Sequence, residues 1–333
     1  VLAATSLSYV LVILDTSIVN VALDAIADTL NSNTTALQWV VSAYTLSFGC
    51  LLLSGGALAD RFGARRLYMA GLLLFTLASL LCGMAPNGMT LVAARVLQGV
   101  GAASLVPASL ALINQAYLAN PAGRVAAIGV WAGCGGIAMA AGPLVGGVLI
   151  ETLGWRSVFL VNLPLGLIAI GLSARLAASA RQPRASGWVL LTLRLFGSRV
   201  FSLCVAVSLI SALLLYGLMF LLSLYFQRTL GLSPLWTGIA FLPLTVLVSI
   251  GSLVAGQLVR AFGSRWLIGG ALVLYVAGFS LLLMGGSAPD FALIVVPLPL
   301  IGLAAGLSTP AATAALMGAV HPTQAGIAAG TLN

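Results

Sequence analysis

Ten long apolar stretches follow one another along this sequence. A helix needs roughly 20 apolar residues to cross the hydrocarbon core of a bilayer. Hydrophobic residues make up 61% of the chain and charged residues 6%, whereas a soluble domain carries about 25% charged residues because water must solvate its surface. The chain therefore requires lipid as its solvent, and we predict an all-α polytopic membrane protein. The predicted spans are residues 3–27, 36–58, 67–85, 88–118, 125–150, 155–176, 200–226, 235–259, 266–286 and 291–318.

The polar residues exclude several classes of protein. All 14 basic residues are arginines, and their scattering between the spans argues against a nucleic-acid partner. His321 is the single histidine and the four cysteines lie in apolar runs, so we expect no metal and no cofactor. Residues 1–14 lack the basic flank and cleavage site of a signal peptide, so we interpret them as part of the first span.

The loop arginines predict the orientation of the chain. Cytoplasmic loops of membrane proteins carry an excess of basic residues. If connections are assigned alternately to two sides, one side holds only Arg156 and Arg228. The other side, which also holds the N-terminus, holds Arg61, Arg65, Arg66, Arg124, Arg175, Arg181, Arg184, Arg194, Arg199, Arg260 and Arg265. We therefore predict that the N-terminus is cytoplasmic.

The sequence contains an internal repeat. Residues 56–67 (GALADRFGARRL) align without gaps to residues 256–267 (GQLVRAFGSRWL), with six of twelve positions identical. Each segment follows the second span of its half. A weaker match pairs Gly99 and Pro107 with Gly302 and Pro310. Both halves enter the membrane from the same side, so the pattern predicts two parallel-repeat helical bundles.

The first copy of the loop resembles the signature loop of the major facilitator superfamily. The resemblance implies a conformational latch formed by Gly56, Asp60, Arg61, Gly63 and Arg65. Gly63 permits a tight turn, and Asp60 is placed to cap the next helix or to pair with an arginine. One basic position of the family pattern is alanine here. The alternative interpretation is a simple positive-inside loop.

The fourth span carries an arginine inside its apolar run. Residues 91–103 (LVAARVLQGVGAA) resemble the fourth-helix motif of proton-coupled facilitators. An arginine at this depth costs about 2.5–3.5 kcal/mol to insert, so it is expected to face a partner or water. Gln98 lies on nearly the same helix face as Arg95. The alternative is that Arg95 is a static tie between helices.

Three further motifs resemble those of this family, and the first-span and sixth-span motifs resemble its fourteen-helix drug/proton antiporter branch. They are residues 14–23 (LDTSIVNVAL) in the first span, 129–147 in the fifth and 154–166 (GWRSVFLVNLPLG) in the sixth. The fifth-span segment resembles the antiporter motif and includes Gly142, Pro143, Gly146 and Gly147. Small residues there allow close helix approach. The family proline after Leu23 is Asp24 here, and simple tight packing would also explain the glycines.

The resemblance predicts the domain organisation. Residues 1–176 form a six-helix bundle, 177–199 a cytoplasmic linker and 200–333 a second, incomplete bundle. Two central spans of the branch have no counterpart in the linker. An eleventh span begins near Gln324.

The functional prediction is a proton-coupled antiporter that exports drug-like or antibiotic molecules by alternating access. We predict that the protein is a multi-pass monomer in the bacterial cytoplasmic membrane. Its predicted partners are protons, lipid and a small amphipathic or apolar substrate. The alternative is a proton-coupled nutrient symporter of the same fold. A membrane enzyme or a channel has less support, since no nucleophile–base set and no charged ring stands out.

Two groups of residues are predicted to carry the transport reaction. An ionised Asp15 in mid-span needs a partner, so we predict that Asp15 carries the coupling proton and that Arg95 tunes its release. The substrate pocket is placed between the halves near the bilayer midplane, although several of its aromatics could instead face lipid. Its predicted lining residues are Asn20, Trp39, Tyr44, Gln98, Tyr216, Phe220 and Tyr225.

Overall fold

The computed structural model describes residues 1–30, 33–174, 198–284 and 291–319, which form helices joined by short turns. The first part of the chain forms α1 (Leu2–Leu30), α2 (Thr34–Phe62), α3 (Ala64–Gly83), α4 (Gly88–Ala116), α5 (Pro121–Leu153), α6 (Ser157–Leu160) and α7 (Asn162–Ala174). The second part forms α8 (Arg199–Leu224) with a π-helical extension (Tyr225–Thr229), α9 (Pro234–Phe262), α10 (Ser264–Met284), α11 (Phe291–Val295) and α12 (Leu298–Ala319). Within the described residues, ten segments are long and apolar enough to cross a membrane, which confirms the ten predicted spans.

Two predicted spans are each divided into a short and a long helix. The sixth consists of α6 and α7, separated at Val161, and the tenth of α11 and α12, separated at Val296 and Pro297. Pro164 lies three residues after the first division and Pro297 lies within the second, and proline cannot donate the backbone hydrogen bond that a continuous helix requires. Hydropathy alone does not reveal such breaks, because the apolar run continues through them.

Polar side chains cap the starts of several helices. Asn33, Asn87 and Asn120 each accept a hydrogen bond from the backbone N–H three residues later, at 2.9 Å. Ser233 accepts one from the Trp236 N–H at 3.4 Å. These caps satisfy N–H groups that the first helical turn leaves without partners.

The chain divides into two compact units, Val1–Ser186 and Gly187–Asn333. In the first unit, α4 packs against α2 and α3, and α5 packs against α1. In the second unit, α12 packs against α8, α9 and α10. The predicted linker, apart from Ser198 and Arg199, lies outside the described residues, as does Gln324.

The repeated loop has the same backbone geometry in both units. Gly63 ends α2 with φ 93°, and Gly263 ends α9 with φ 82°. The N–H of each glycine donates to the carbonyl four residues earlier at 2.9 Å. A positive φ of this kind favours glycine, because a side chain would be strained there. The matched sequence therefore encodes a matched turn.

The repeat extends to the packing of the fourth span. A Cβ atom built on Gly99 would lie 2.6 Å from the carbonyl oxygen of Tyr44 on α2. A Cβ built on Gly302 would lie 2.9 Å from the carbonyl carbon of Leu244 on α9. Tyr44 and Leu244 are 200 positions apart, the same offset as the loops. The same pair of helices is thus brought together by a glycine in each unit, as the parallel repeat predicts.

Candidate functional site

A cluster of polar side chains occupies the interior of the first unit. It joins α1, α3, α4 and α7, and we call it the polar cluster. Its members are Asp15, Ser79, Cys82, Arg95, Gln98 and Asn162, each of which is buried. Buried polar groups are costly unless they are hydrogen-bonded, so the contacts within this cluster determine whether the interior tolerates it.

The centre of the polar cluster is an ion pair between Arg95 and Asp15. The Arg95 Nη1 donates to Asp15 Oδ2, and the two side chains are 1% and 0% exposed. Arg95 also donates from Nε to the Val40 carbonyl at 3.0 Å and from Nη1 to Gln98 Oε1 at 2.7 Å. The buried charges therefore compensate each other, and the arginine is also held by neutral acceptors.

Aromatic rings cover the guanidinium of Arg95. Its carbon lies 4.2 Å from the ring centroid of Tyr44 and 5.7 Å from that of Phe159. Both distances permit cation–π attraction. The Tyr44 hydroxyl donates to the Val12 carbonyl on α1 at 3.3 Å, which fixes the ring against the arginine.

Two amides complete the coordination of Asp15. Gln98 Nε2 donates to Asp15 Oδ1 at 2.8 Å and to Ser79 Oγ at 2.9 Å. Asn162 Nδ2 donates to the same Asp15 oxygen at 3.0 Å. Cys82 Sγ lies 3.5 Å from Gln98 Oε1. Three donors thus converge on one carboxylate from α4 and α7, an arrangement that suits its ionised form.

The structure brings together only part of the predicted site. Asp15, Arg95, Gln98 and Tyr44 meet in or against the polar cluster. Asn20 is fully buried on α1 and donates to the Thr16 carbonyl at 3.0 Å.

The remaining predicted lining residues stay a prediction. Trp39 is 52% exposed on α2. Tyr216, Phe220 and Tyr225 are partly buried within the second unit.

The predicted latch residues lie where α2 meets α3. Gly63 makes the turn described above, and Arg61 and Arg65 lie on either side of it. Arg65 Nη2 donates to the Ala174 carbonyl at 3.1 Å, which ties the start of α3 to the end of α7. The Arg61 guanidinium lies 5.2 Å from the Phe62 ring centroid.

The other two predicted latch residues, Gly56 and Asp60, take no part in the contacts described for this turn. A Cβ on Gly56 would make ordinary contact with Pro107 on α4. The side chain of Asp60 lies outside the described part of the chain.

The glycines of the predicted antiporter motif bring α5 against α1. A Cβ on Gly142 would overlap the Ser17 side chain, and a Cβ on Gly146 would lie 2.7 Å from the Ile18 side chain. Pro143 lies inside α5, and Gly147 is buried. Close approach of backbones at small residues is the expected basis of such packing.

Ser79, Cys82 and Asn162 are members of the polar cluster that the sequence reasoning missed. Asn162 lies in the sixth-span motif, and an asparagine within an apolar span was a signal that could have marked it. Ser79 and Cys82 give a weaker signal, because small polar residues are common in membrane helices.

In the part of the chain that the structure describes, ten spans, a repeated bundle and a buried ion pair indicate a polytopic membrane transporter. The chain belongs to the Major Facilitator Superfamily, since the model of that family matches residues 5–333. This family consists of transporters and not of enzymes.

Bacterial relatives with resistance-related names cover nearly the whole chain. The methylenomycin A resistance protein of Bacillus subtilis (strain 168) is 33% identical over 391 residues, covering 100% of this chain and 83% of the relative. The puromycin resistance protein pur8 of Streptomyces alboniger is 37% identical, covering 97% of this chain and 76% of the relative. The multidrug resistance protein Stp of Mycobacterium tuberculosis (strain CDC 1551 / Oshkosh) is 31% identical, covering 100% and 72%.

Solved structures share the fold at low sequence identity. A D-xylose-proton symporter matches with a TM-score of 0.80 and 18% identity, covering 99% of this chain and 86% of that one. A bacterial homologue of the human lysosomal transporter Spinster, in an inward-facing occupied conformation, matches with a TM-score of 0.80 and 19% identity, covering 99% and 77%. These matches establish the architecture alone.

Proposed function

We propose that this protein exports drug-like or antibiotic molecules across the bacterial cytoplasmic membrane in exchange for protons. The observation that carries the proposal is the buried pair of Asp15 and Arg95 with its amide donors. The names of the relatives support the substrate class, since they describe resistance to methylenomycin A and puromycin. A further relative in Amycolatopsis lactamdurans is named as a cephamycin export protein.

Coupling follows from the dependence of the polar cluster on the charge of Asp15. The ionised carboxylate accepts from Arg95, Gln98 and Asn162. When Asp15 takes up a proton, it no longer compensates the charge of Arg95. The buried guanidinium is then uncompensated, which is strongly unfavourable. A second conformation in which Arg95 meets another partner or water becomes favoured, so proton binding shifts the conformational equilibrium.

The driving force depends on the charge of the substrate. One charge that crosses a potential of about 100 mV gains about 2.3 kcal/mol, which corresponds to a concentration ratio of roughly 50-fold. Exchange of one proton for a neutral substrate uses both this potential and the pH gradient. Exchange of one proton for a monovalent cation uses the pH gradient alone.

The remaining parts of the proposal follow from arginine distribution and family architecture. The N-terminus is cytoplasmic, and the protein acts as a monomer. Tyr44 and Gln98 are the lining candidates nearest to the proton site. Gly56, Asp60, Arg61, Gly63 and Arg65 act as the latch during alternating access.

A proton-coupled nutrient symporter is the second candidate function. Its support is the D-xylose-proton symporter, which shares the architecture at 18% identity. The fold alone therefore does not separate export from uptake. The close approach of α5 and α1 at Gly142 and Gly146, together with the relatives' names, favours export.

The direction of coupling is measured with the full chain in proteoliposomes. Radiolabelled puromycin, methylenomycin A and cephamycin are tested as probes under pH gradients of both signs. An antiporter accumulates its substrate when the vesicle interior is acidic, because protons leave as substrate enters. Accumulation only when the exterior is acidic would establish symport and refute the proposal.

Asp15→Asn tests the proton carrier in the same vesicles. The variant should lose accumulation driven by the pH gradient and keep downhill exchange of the substrate. Asp28→Asn is the matched control, because it makes the same chemical change at an exposed position of the same helix. Normal driven accumulation by Asp15→Asn would place the proton elsewhere, with Asp24 the next residue to test. Loss of expression would instead indicate that Asp15 only fixes α1 to its neighbours.

A further inference from the structure

Asn162 is positioned at the division of the sixth span, with its amide against Asp15. It is the first residue of α7, and its side chain is fully buried. Its Nδ2 donates to Asp15 Oδ1 at 3.0 Å and lies 3.4 Å from Ser79 Oγ. Its Oδ1 is buried and accepts no hydrogen bond within the described structure. A buried acceptor without a donor requires an explanation.

The orientation of this amide is fixed by the charge of Asp15. An ionised carboxylate only accepts hydrogen bonds. Arg95 donates to one oxygen, while Gln98 and Asn162 donate to the other. The NH2 group of Asn162 must therefore face Asp15 while the latter is ionised, which leaves Oδ1 on the side that has no donor.

A neutral Asp15 has the opposite requirement. A protonated carboxyl group carries an O–H that must donate to an acceptor. Gln98 Oε1 already accepts from Arg95 Nη1 and is approached by the Cys82 thiol. Ser79 Oγ accepts from Gln98 and donates to the Phe75 carbonyl. Among the described side chains of the polar cluster, Asn162 Oδ1 is the buried acceptor that receives no hydrogen bond.

We propose that Asn162 is a positioning residue that serves both protonation states of Asp15. Its amide donates from Nδ2 to the ionised carboxylate. After a half-turn about its terminal side-chain bond, it accepts the hydroxyl of the neutral acid at Oδ1. The two ends of an asparagine amide have nearly the same size, so the turn changes hydrogen bonding without changing the space that the group fills.

The proton balance of the step is simple. One O–H bond forms on Asp15 as a proton arrives from water, and the same bond breaks on release. Asn162 neither gains nor loses a proton, and no other covalent bond changes. This inference rests on the proposed role of Asp15 in proton coupling.

Few charged or titratable groups face this carboxyl. Arg95 on α4 is in direct contact with Asp15. On α3, the Cys82 thiol faces Gln98, and on α2 the Tyr44 hydroxyl is engaged with the Val12 carbonyl. Within the described residues, α5, α6 and α7 place no acidic or basic side chain in hydrogen-bond contact with Asp15. The proton-dependent change is therefore expected to concentrate on the amides.

Infrared difference spectroscopy on the full chain in lipid tests the half-turn directly. The sample carries ¹³C in the side-chain amide of asparagine, and spectra are compared between high and low pH. The expected result is a protonated-carboxyl band from Asp15 and, over the same pH range, a lowered stretching frequency of one labelled amide. Asp15→Asn should remove both signals, and Asn162→Leu should remove the amide signal.

The control variant for the spectra is Asn87→Ser. Asn87 caps α4 through its side chain, and serine retains a capping oxygen, so this variant should keep the amide signal. An Asp15 band without the amide shift would overturn the inference and leave the proposed function standing. Absence of the Asp15 band itself would overturn both the inference and the proposed role of Asp15 as the proton carrier, whereas the direction of coupling is tested separately by the transport assay.

Transport by Asn162 variants gives a second, independent readout. Asn162→Leu should lower accumulation driven by the pH gradient by about tenfold, the factor for one lost buried hydrogen bond, while substrate exchange continues. Asn162→Ser should recover driven accumulation, because a hydroxyl both donates and accepts. Equal losses of driven accumulation and exchange in both variants would indicate a structural role and overturn the inference. If Asn162→Leu fails to fold, Asn162→Ser and the labelled parent protein decide the question.

Discussion

Replacement of Arg95 by methionine tests whether the buried ion pair acts as a unit. Methionine keeps a long, flexible side chain but removes the charge. The change deletes the contact with Asp15, the hydrogen bond to the Val40 carbonyl and the one to Gln98. Removal of one partner from a buried pair costs about 3–5 kcal/mol of unfolding free energy, because the other charge stays buried without compensation.

Asp15→Asn should cost a similar amount, since it leaves Arg95 uncompensated. If the two changes were independent, the double variant would lose about 6–10 kcal/mol. Because each single variant carries the penalty of a lone charge and the double variant carries none, we expect a loss at least about 2 kcal/mol smaller than that sum.

The measurement is a double-mutant cycle of equilibrium unfolding in mixed detergent micelles, followed by tryptophan fluorescence. Asp28→Asn with Arg66→Met serves as the control cycle. Both side chains are exposed, and Asp28 lies near the C-terminal end of α1 whereas Arg66 lies near the N-terminal end of α3. The control effects should add to within about 0.5 kcal/mol. If the losses of unfolding free energy for Asp15→Asn and Arg95→Met also added to within about 0.5 kcal/mol, the two buried charges would not stabilise each other, and the reasoning would be refuted.

Two further predictions concern the repeat and the latch. Gly99→Ala and Gly302→Ala should each lower the unfolding free energy by about 1–3 kcal/mol, whereas Gly133→Ala, with open space around the added methyl group, should not lower it. Equal unfolding midpoints for all three variants would contradict the packing argument. Asp60→Asn and Gly63→Val should insert normally but transport much more slowly than the parent, as measured by membrane immunoblotting and substrate exchange. If both variants transported at the rate of the parent, the loop would not act as a latch and would only help to set the orientation of the chain in the membrane.

The large-scale features of this fold were predictable because they depend on single, strong physical terms. The ten spans follow from the cost of exposing polar groups to lipid. The matched turns follow from Gly63 and Gly263, since a positive φ favours glycine. The contact of Asp15 with Arg95 was foreseeable because two opposite charges in mid-span both need a partner.

The finer composition of the site could not be predicted, for a reason that Ser79 illustrates. Its hydroxyl donates to the Phe75 carbonyl of its own helix. Because its hydroxyl is already hydrogen-bonded to its own helix, such a serine can face either lipid or a neighbouring helix. Its sequence environment therefore gave no sign that it also accepts from Gln98.

Helix phase was hidden for a related reason. Trp39 and Tyr44 lie five positions apart on α2, yet one is half exposed and the other fully buried. In water, an amphipathic pattern would distinguish the two faces. In a membrane both faces of the helix are apolar, so the pattern is absent and each aromatic residue looks alike in sequence.

The two units share the glycine contact of the fourth span, but only the first unit has an arginine and a glutamine in that span. With Gly99 matched to Gly302, the positions that correspond to Arg95 and Gln98 are Leu298 and Ile301, both fully buried. An ancestral duplication would thus have preserved the helix contacts in both copies while the charges arose, or survived, in one. Selection can then act separately on the two properties. An added methyl group at the glycine contact is harmful in either half of the gene, whereas loss of charge at this level of the fourth span is harmful in the first half alone.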